Sequence, residues 1–143
     1  MTRDVLLIGL DGATFDIVDP LITAGDMPAL GSLVASGVRA TLRSTVPALT
    51  PPAWTSLVTG RGPGAHGIFD FFRKDDEASP LFRFLTSQDV ACPTMWSLAS
   101  DQGLRSTVLN FPLTFPLASN AFQEWRRRPG FDFTVWAPFQ QGK

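Results

Sequence analysis

The chain has 143 residues, of which 44% are hydrophobic and 17% charged, and its formal net charge is −1. This is the length of one globular domain, and the composition excludes a disordered chain. The near-neutral charge gives no support for a nucleic-acid partner. Cys92 is the only cysteine, so an intrachain disulfide is excluded, and no apolar stretch approaches a membrane span. We therefore expect a cytoplasmic protein without a membrane span.

The first predicted element is a short apolar run over residues 4–10, which ends at Asp11-Gly12. Such a run is typical of a buried parallel strand. Ligand sites in open α/β sheets lie outside the carboxyl ends of the strands, and a carboxylate there is a suitable ligand for a cation. Asp11 is therefore a candidate metal ligand. The alternative is that Asp11-Gly12 is only a turn.

Helices and strands alternate along the next part of the chain. Helical spacing of apolar residues predicts helices over residues 14–24, 28–36, 50–59 and 93–102. Alternating apolar residues predict a second strand over 38–43, and a further strand is expected over 106–110. Residues 60–67 are predicted to be a Gly-rich loop, and residues 69–91 to be loop with short elements. This order predicts an α/β domain with a mostly parallel sheet and flanking helices.

Thr50 is the candidate nucleophile because it places a hydroxyl where a helix begins. Threonine is a favoured N-cap, which by itself explains the residue. A hydroxyl at this position also lies at the positive end of the helix dipole, which favours its anionic form and attracts an anionic substrate. Pro51 and Pro52 supply no N–H groups, so Ala53 offers the first amide. A phosphate bound here would need other help, and metal ions are the natural source.

His66 is the only histidine, and it lies in the Gly-rich loop. A catalytic Ser-His arrangement would use it as the base, but its surroundings favour a structural role. The spacing of Gly62, Gly64 and Gly67 matches the dinucleotide-binding fingerprint, but the motif follows a helix rather than a strand and contains a proline. We discount that motif. For Trp54, core packing is favoured over a place in a pocket wall.

An ordered series of motifs resembles the type I phosphodiesterase/nucleotide pyrophosphatase family, which belongs to the alkaline phosphatase superfamily. The resemblance runs from about residue 4 to residue 117. Its motifs are Leu7-Ile8-Gly9-Leu10-Asp11-Gly12, Met27-Pro28-Ala29-Leu30, Thr50-Pro51-Pro52-Ala53-Trp54-Thr55 and His66-Gly67-Ile68. Each motif alone is weak, but their order is specific.

The resemblance implies a divalent two-metal site, usually zinc with manganese or magnesium as alternatives, on a large, mostly parallel sheet. It implies that Asp11 is a metal ligand. It also implies that Thr50 is the nucleophile, contacts a metal and forms a covalent phospho-enzyme with a small phosphoester substrate. We therefore expect Asp11 and Thr50 to meet at the carboxyl edge of the sheet. Ala53 departs from the family, because the better-known nucleotide pyrophosphatases have a phosphate-binding Asn at this position.

A second departure is the shortage of ligands. The family takes its remaining Asp and His ligands from a long downstream region, whereas this chain has one histidine. We therefore expect residues 1–117 to be the N-terminal portion of a longer phosphodiesterase or pyrophosphatase, and residues 118–143 to be an irregular tail. One alternative is another hydrolase or phosphotransferase of the superfamily, such as a phosphonate hydrolase. The other alternative is a catalytically silent fragment or a binding domain.

Overall fold

The computed structural model describes residues 5–74, 76, 78 and 80–115, and the backbone of residues 135–136. The chain divides into two compact units, Met1–Arg43 and Ser44–Lys143. The prediction of an irregular tail over residues 118–143 lies outside the described residues, apart from the backbone of 135–136.

The first unit contains two helices, α1 (Phe15–Ala24) and α2 (Pro28–Ser36), both of which the sequence predicts. Helix α1 ends at Gly25, whose φ of 85° is left-handed and suits a residue without a Cβ. Helix α2 begins at Pro28, because the fixed φ of proline suits the first helical position and its missing N–H is not needed there.

Arg39 ties the segment that follows α2 back to α1. Its guanidinium donates a hydrogen bond to the Asp19 carboxylate at 2.7 Å, and the same group lies 3.7 Å from the centre of the Phe15 ring. The ion pair is more than 40% exposed on both sides, so its contribution to stability is small. The contact with the Phe15 ring adds packing along the guanidinium. It helps to hold the segment after α2 against α1.

The strands predicted over residues 4–10 and 38–43 are wrong for the described residues, because 5–10 and 38–43 have neither helix nor strand. Their apolar side chains are uncovered: Val5 is 91% exposed and Val38 is 100% exposed. A strand needs a hydrogen-bonded neighbour as well as a suitable sequence. In the part of the chain that the structure describes, every strand pairs elsewhere, so these two segments lack the partner that would make them strands.

The second unit carries the other elements, which are short. They are α3 (Thr50–Thr59), α4 (Pro63–His66), β1 (Phe72–Arg73), β2 (Arg83–Phe84), a 3-10 helix (Ser87–Asp89), α5 (Met95–Asp101), β3 (Val108–Leu109) and β4 (Val135–Trp136). Helix α3 has the predicted bounds. The predicted loop over 60–67 contains α4, which Pro63 can begin because its nitrogen has no hydrogen to satisfy.

The sheet is smaller than the sequence predicts. Strands β1 and β2 form an antiparallel pair, with Phe72 opposite Phe84, and β3 and β4 form a parallel pair, with Val108 opposite Val135. The architecture is α/β, but the large, mostly parallel sheet of the sequence prediction is not seen among the described residues. The reason is again pairing, since the segments at 5–10 and 38–43 join neither sheet.

The described residues contain no single helix that is long and apolar enough to cross a membrane. Helices α1 and α2 together satisfy that test by length and composition, but they are bent by 107° at their junction.

Asp89 makes most of the polar side-chain contacts in the segment that follows β2. Its carboxylate accepts two hydrogen bonds from the Arg83 guanidinium, at 2.8 and 3.0 Å, and one from the Thr86 N–H at 2.8 Å. Arg73 on β1 lies 3.6 Å away. The Arg83 hydrogen bonds hold the pKa of the Asp89 carboxyl far below its ordinary value, against the opposing effect of burial. Asp89 therefore joins the hairpin to the 3-10 helix that leads to α5.

We expect Asp89→Asn to lower the free energy of unfolding by about 1–3 kcal/mol, because a charge-assisted carboxylate is lost from a nearly buried position. The folded pKa lies below the unfolded pKa. The stabilisation is therefore complete above about pH 3.8 and is lost as the pH falls from there towards the folded pKa. Urea unfolding of both proteins at neutral and acid pH measures this. Asp101→Asn, at an exposed helix end, is the matched control and should change stability by less than about 0.5 kcal/mol. Equal losses in the two variants would contradict the assignment.

Candidate active site

Thr50 is the first residue of α3, and the N-cap role that the sequence suggests for it is wrong. Leu49 is the N-cap, with extended backbone, and Thr50 is already helical. Pro51 and Pro52 follow and are fully buried, and the Ala53 N–H donates to the Leu49 carbonyl at 3.1 Å. Two amides of the first turn are thus absent and a third is used within the helix. A phosphate at this helix end finds few backbone donors, as the sequence predicts.

Asp11 and Thr50 are exposed to different degrees and lie in different units. Asp11 is exposed and belongs to a turn with Gly12, whose φ is 68°, so the turn alternative describes the local backbone correctly. Thr50 is half-buried in the second unit. Both side-chain types can bind a hard or borderline cation through oxygen. That Asp11 and Thr50 share one cation stays a prediction.

The described residues do not contain a complete metal site. No group of three or more His, Cys, Asp or Glu side chains among them is arranged to hold a metal ion. Structural and catalytic sites for zinc use three or four protein ligands. Asp11 and Thr50 would supply two oxygens, so the described part of the chain does not fit a metal centre by itself.

His66 is buried, and both of its ring nitrogens are engaged. The Ile68 N–H donates to Nδ1 at 3.1 Å, so Nδ1 carries no proton. Nε2 must then carry the proton, and it donates to the Ser56 hydroxyl at 2.9 Å. Burial lowers the pKa of His66, and a hydrogen bond to the Pro52 carbonyl partly opposes this. The ring has no lone pair left to act as a base, which agrees with the structural role favoured from the sequence.

Ser56 is the residue of this arrangement that the sequence does not indicate. It lies on α3 and contacts a histidine ten positions further along the chain. Nothing in the spacing marks that pair, since a serine inside a helix usually faces solvent or its own backbone. One signal for the position of His66 does exist in the sequence. The single histidine lies between Gly64 and Gly67, which indicates a tight turn around the ring.

An aromatic cluster lies one helical turn beyond Thr50. The Trp54 ring meets Phe111 edge to face, with ring centres 5.1 Å apart, and Trp96 on α5 meets the same Phe111 at 5.8 Å. All three side chains are half-buried. Such edge-to-face pairs add about 0.5–1.5 kcal/mol each beyond their buried area. This confirms the preference for core packing at Trp54 and fixes α3 against α5.

Comparison with known proteins now decides the family. The model of the type I phosphodiesterase/nucleotide pyrophosphatase family matches this sequence over residues 5–141. The chain belongs to this family. Its structure is similar to that of phosphonoacetate hydrolase from Sinorhizobium meliloti 1021, solved in complex with phosphonoacetate, with 27% sequence identity and a TM-score of 0.59. The match covers 70% of this chain and 24% of the hydrolase, so the chain spans about a quarter of the length of that relative.

Both findings place this member of the family within the alkaline phosphatase superfamily, as the motifs indicate. The family match extends over α1 to α5 and includes Thr50, His66 and the aromatic cluster. The motifs at Asp11 and Thr50 both lie inside the matched region.

We expect Phe111→Ala to destabilise the fold by about 2–4 kcal/mol, because Phe111 is the ring shared by both tryptophans. The near-ultraviolet circular dichroism of the tryptophans should weaken at the same time, since their rings lose the neighbour that orients them. Phe115→Ala is the matched control, because Phe115 is 50% exposed. A Phe111 variant as stable as the Phe115 variant would show that the cluster does not hold α3 and α5 together.

Proposed function

We propose that this chain carries the nucleophile of a metal-dependent hydrolase of phosphodiester or pyrophosphate bonds, acting as part of a longer enzyme. The observation that carries the proposal is Thr50 at the first position of α3, within a family match that includes its motif. A hydroxyl at a helix start is stabilised as an anion by the helix dipole, which is the state required for attack on phosphorus.

In the proposed reaction, the Thr50 Oγ forms a bond to phosphorus while the ester oxygen leaves with the electron pair. The hydroxyl proton passes to solvent water as the new bond forms, and the leaving oxygen takes up a proton from solvent. Water then cleaves the phospho-threonine, so one water is consumed for each bond hydrolysed. His66 is not assigned to proton transfer, because both of its ring nitrogens are occupied.

Asp11 is proposed to hold a divalent cation together with Thr50. The family resemblance supports two zinc ions, with manganese or magnesium as alternatives. A bound cation of this kind would neutralise the negative charge of a phosphate at the helix end, where the first turn has few N–H donors. The described residues lack the remaining ligands, so we propose that these come from another part of the enzyme. We also propose residues 1–117 as the enzyme-domain portion, a small phosphoester as substrate and a cytoplasmic location.

A phosphonate is the second candidate substrate. The structural relative with 27% identity is a phosphonoacetate hydrolase, which was solved with phosphonoacetate bound. Ala53 favours this alternative too, because the family's better-known nucleotide pyrophosphatases carry an Asn there and this chain does not. The two candidates differ in the bond that breaks, P–O or P–C, and share the threonine nucleophile.

We expect the 143-residue chain alone to show negligible hydrolysis of an aryl phosphodiester, with or without added zinc, because Asp11 and Thr50 cannot complete a two-metal site. A steady-state assay with and without a chelator measures this. Robust turnover that disappears on chelation and in Thr50→Ala would show that the chain needs no further ligands.

The nucleophile itself is tested in a chimera, in which this chain replaces the matching quarter of the phosphonoacetate hydrolase. We expect Thr50→Ala to abolish hydrolysis of phosphonoacetate and of an aryl phosphodiester, whereas Thr50→Ser keeps a measurable rate because it retains the hydroxyl. Thr59→Ala, at the other end of α3, is the matched control and should stay active. A folded Thr50→Ala chimera as active as its parent would rule out the proposed nucleophile, and the ratio of the two substrate activities separates the two candidate functions.

A further inference from the structure

The connection between α3 and the residues after α4 is held from two sides at His66. From one side, its ring bonds Ser56 on α3 and the Ile68 N–H. From the other side, its backbone carbonyl accepts from the Ala91 N–H at 3.0 Å. Both His66 and Ile68 are fully buried, with 0% exposure. His66 is therefore the residue at which three stretches of the second unit meet.

The ring fits this position only when it is neutral. Nδ1 must accept the Ile68 N–H, so a proton added to Nδ1 would point one N–H at another. Neither group could turn to water, because His66 and Ile68 are both fully buried. An unsatisfied buried donor and a buried charge are both costly, so the protonated ring favours a locally opened form.

We propose that His66 is a pH-sensitive lock, whose neutral imidazole holds α3 to the residues that follow α4 and whose protonation opens this connection. The lock concerns local structure and does not depend on the reaction assigned to Thr50. Its consequence for activity does rest on the proposed function, since Pro52 beside the ring is two positions from Thr50. Opening would displace the helix start that carries the hydroxyl.

The charged groups on the neighbouring elements do not provide a counter-ion for a protonated ring. Helix α3 has no ionisable side chain, and the residues between α3 and β1 carry Arg61 and Asp70. Asp70 accepts from the Phe71 N–H. The packed segment on the other side carries Asp89, whose carboxylate is bound to Arg83, and Cys92, whose thiol contacts the Ala65 carbonyl at 3.4 Å.

The direction of the pH effect follows from the burial of the ring. Burial lowers the pKa of His66 below its ordinary value of 6.5, so the opened form binds a proton more tightly than the closed form. The closed form is then fully favoured above about pH 6.5 and loses stability as the pH falls below it. Asp89 stays ionised throughout this range because its pKa is shifted far downward, so the two groups respond to acid separately.

The test is amide hydrogen exchange of the full 143-residue chain, read by NMR from about pH 8 to about pH 5. We expect the protection factor of the Ile68 amide to fall as the pH drops below 6.5, by no more than about tenfold per pH unit, and that of the Leu98 amide on α5 to stay constant. The His66 ring should show a protonated Nε2 and a bare Nδ1 at the upper end of the range. Constant protection at Ile68, or a ring protonated at Nδ1, would overturn the lock.

Two variants separate titration from simple loss of contacts. His66→Asn keeps an acceptor for the Ile68 N–H two positions on but cannot titrate, so its Ile68 protection should be lower than in the parent and independent of pH. Ser56→Ala removes the Nε2 partner but keeps the titrating ring, so its pH dependence should persist. A loss of Ile68 protection with falling pH that survives in His66→Asn would contradict the proposal. If His66→Asn does not fold, the parent and Ser56→Ala decide the matter, because a pH-independent Ile68 amide in either one overturns it.

Discussion

A neutral imidazole in a fully buried position is the constraint on which the arrangement around Thr50 depends. The His66 ring donates to Ser56 on α3 and accepts from the Ile68 amide, so each nitrogen has one fixed role. Helix α3 has no charged side chain with which to anchor itself. Its position is set instead by this ring and, one turn beyond Thr50, by the packing of Trp54 on Phe111. The hydroxyl at the helix start is therefore placed by contacts on the helix body.

The second unit thus contains a fully buried His66 and a nearly buried Asp89, which are stabilised in opposite ways. Asp89 is kept charged by the Arg83 guanidinium and the Thr86 backbone, which compensate for the loss of water. His66 is kept neutral by its burial and because Nδ1 accepts the Ile68 N–H. The two groups therefore respond to acid in different pH ranges. His66, which contacts the helix that carries Thr50, responds at a higher pH than Asp89 does.

Local rules explain which elements the sequence predicts well. Helices α1, α2 and α3 begin and end where proline and glycine require it, at Pro28, Gly25 and Gly60. The strands at 5–10 and 38–43 fail, because strand formation depends on a neighbour that no local pattern encodes. The contacts at the candidate site are predictable only in part. The position of Thr50 at the helix start follows from its prolines, whereas the Ser56–His66 and Arg83–Asp89 pairs depend on tertiary packing.

Family membership adds what neither local rules nor the described contacts contain. The family match includes both the carboxylate after the first apolar run and the hydroxyl at the start of α3, although Asp11 and Thr50 are 39 positions apart. We propose that these two side chains bind one divalent cation.

Paramagnetic broadening by Mn²⁺ tests that claim most directly, because it reports on amides near a bound ion even when binding is weak. We expect the amide resonances of Gly12 and Thr50 to broaden over the same range of Mn²⁺ concentration, and Asp11→Asn to abolish both effects. Asp26→Asn, an exposed carboxylate elsewhere in the first unit, is the matched control and should leave both unchanged. Broadening at Gly12 with a sharp Thr50 resonance would contradict the shared site.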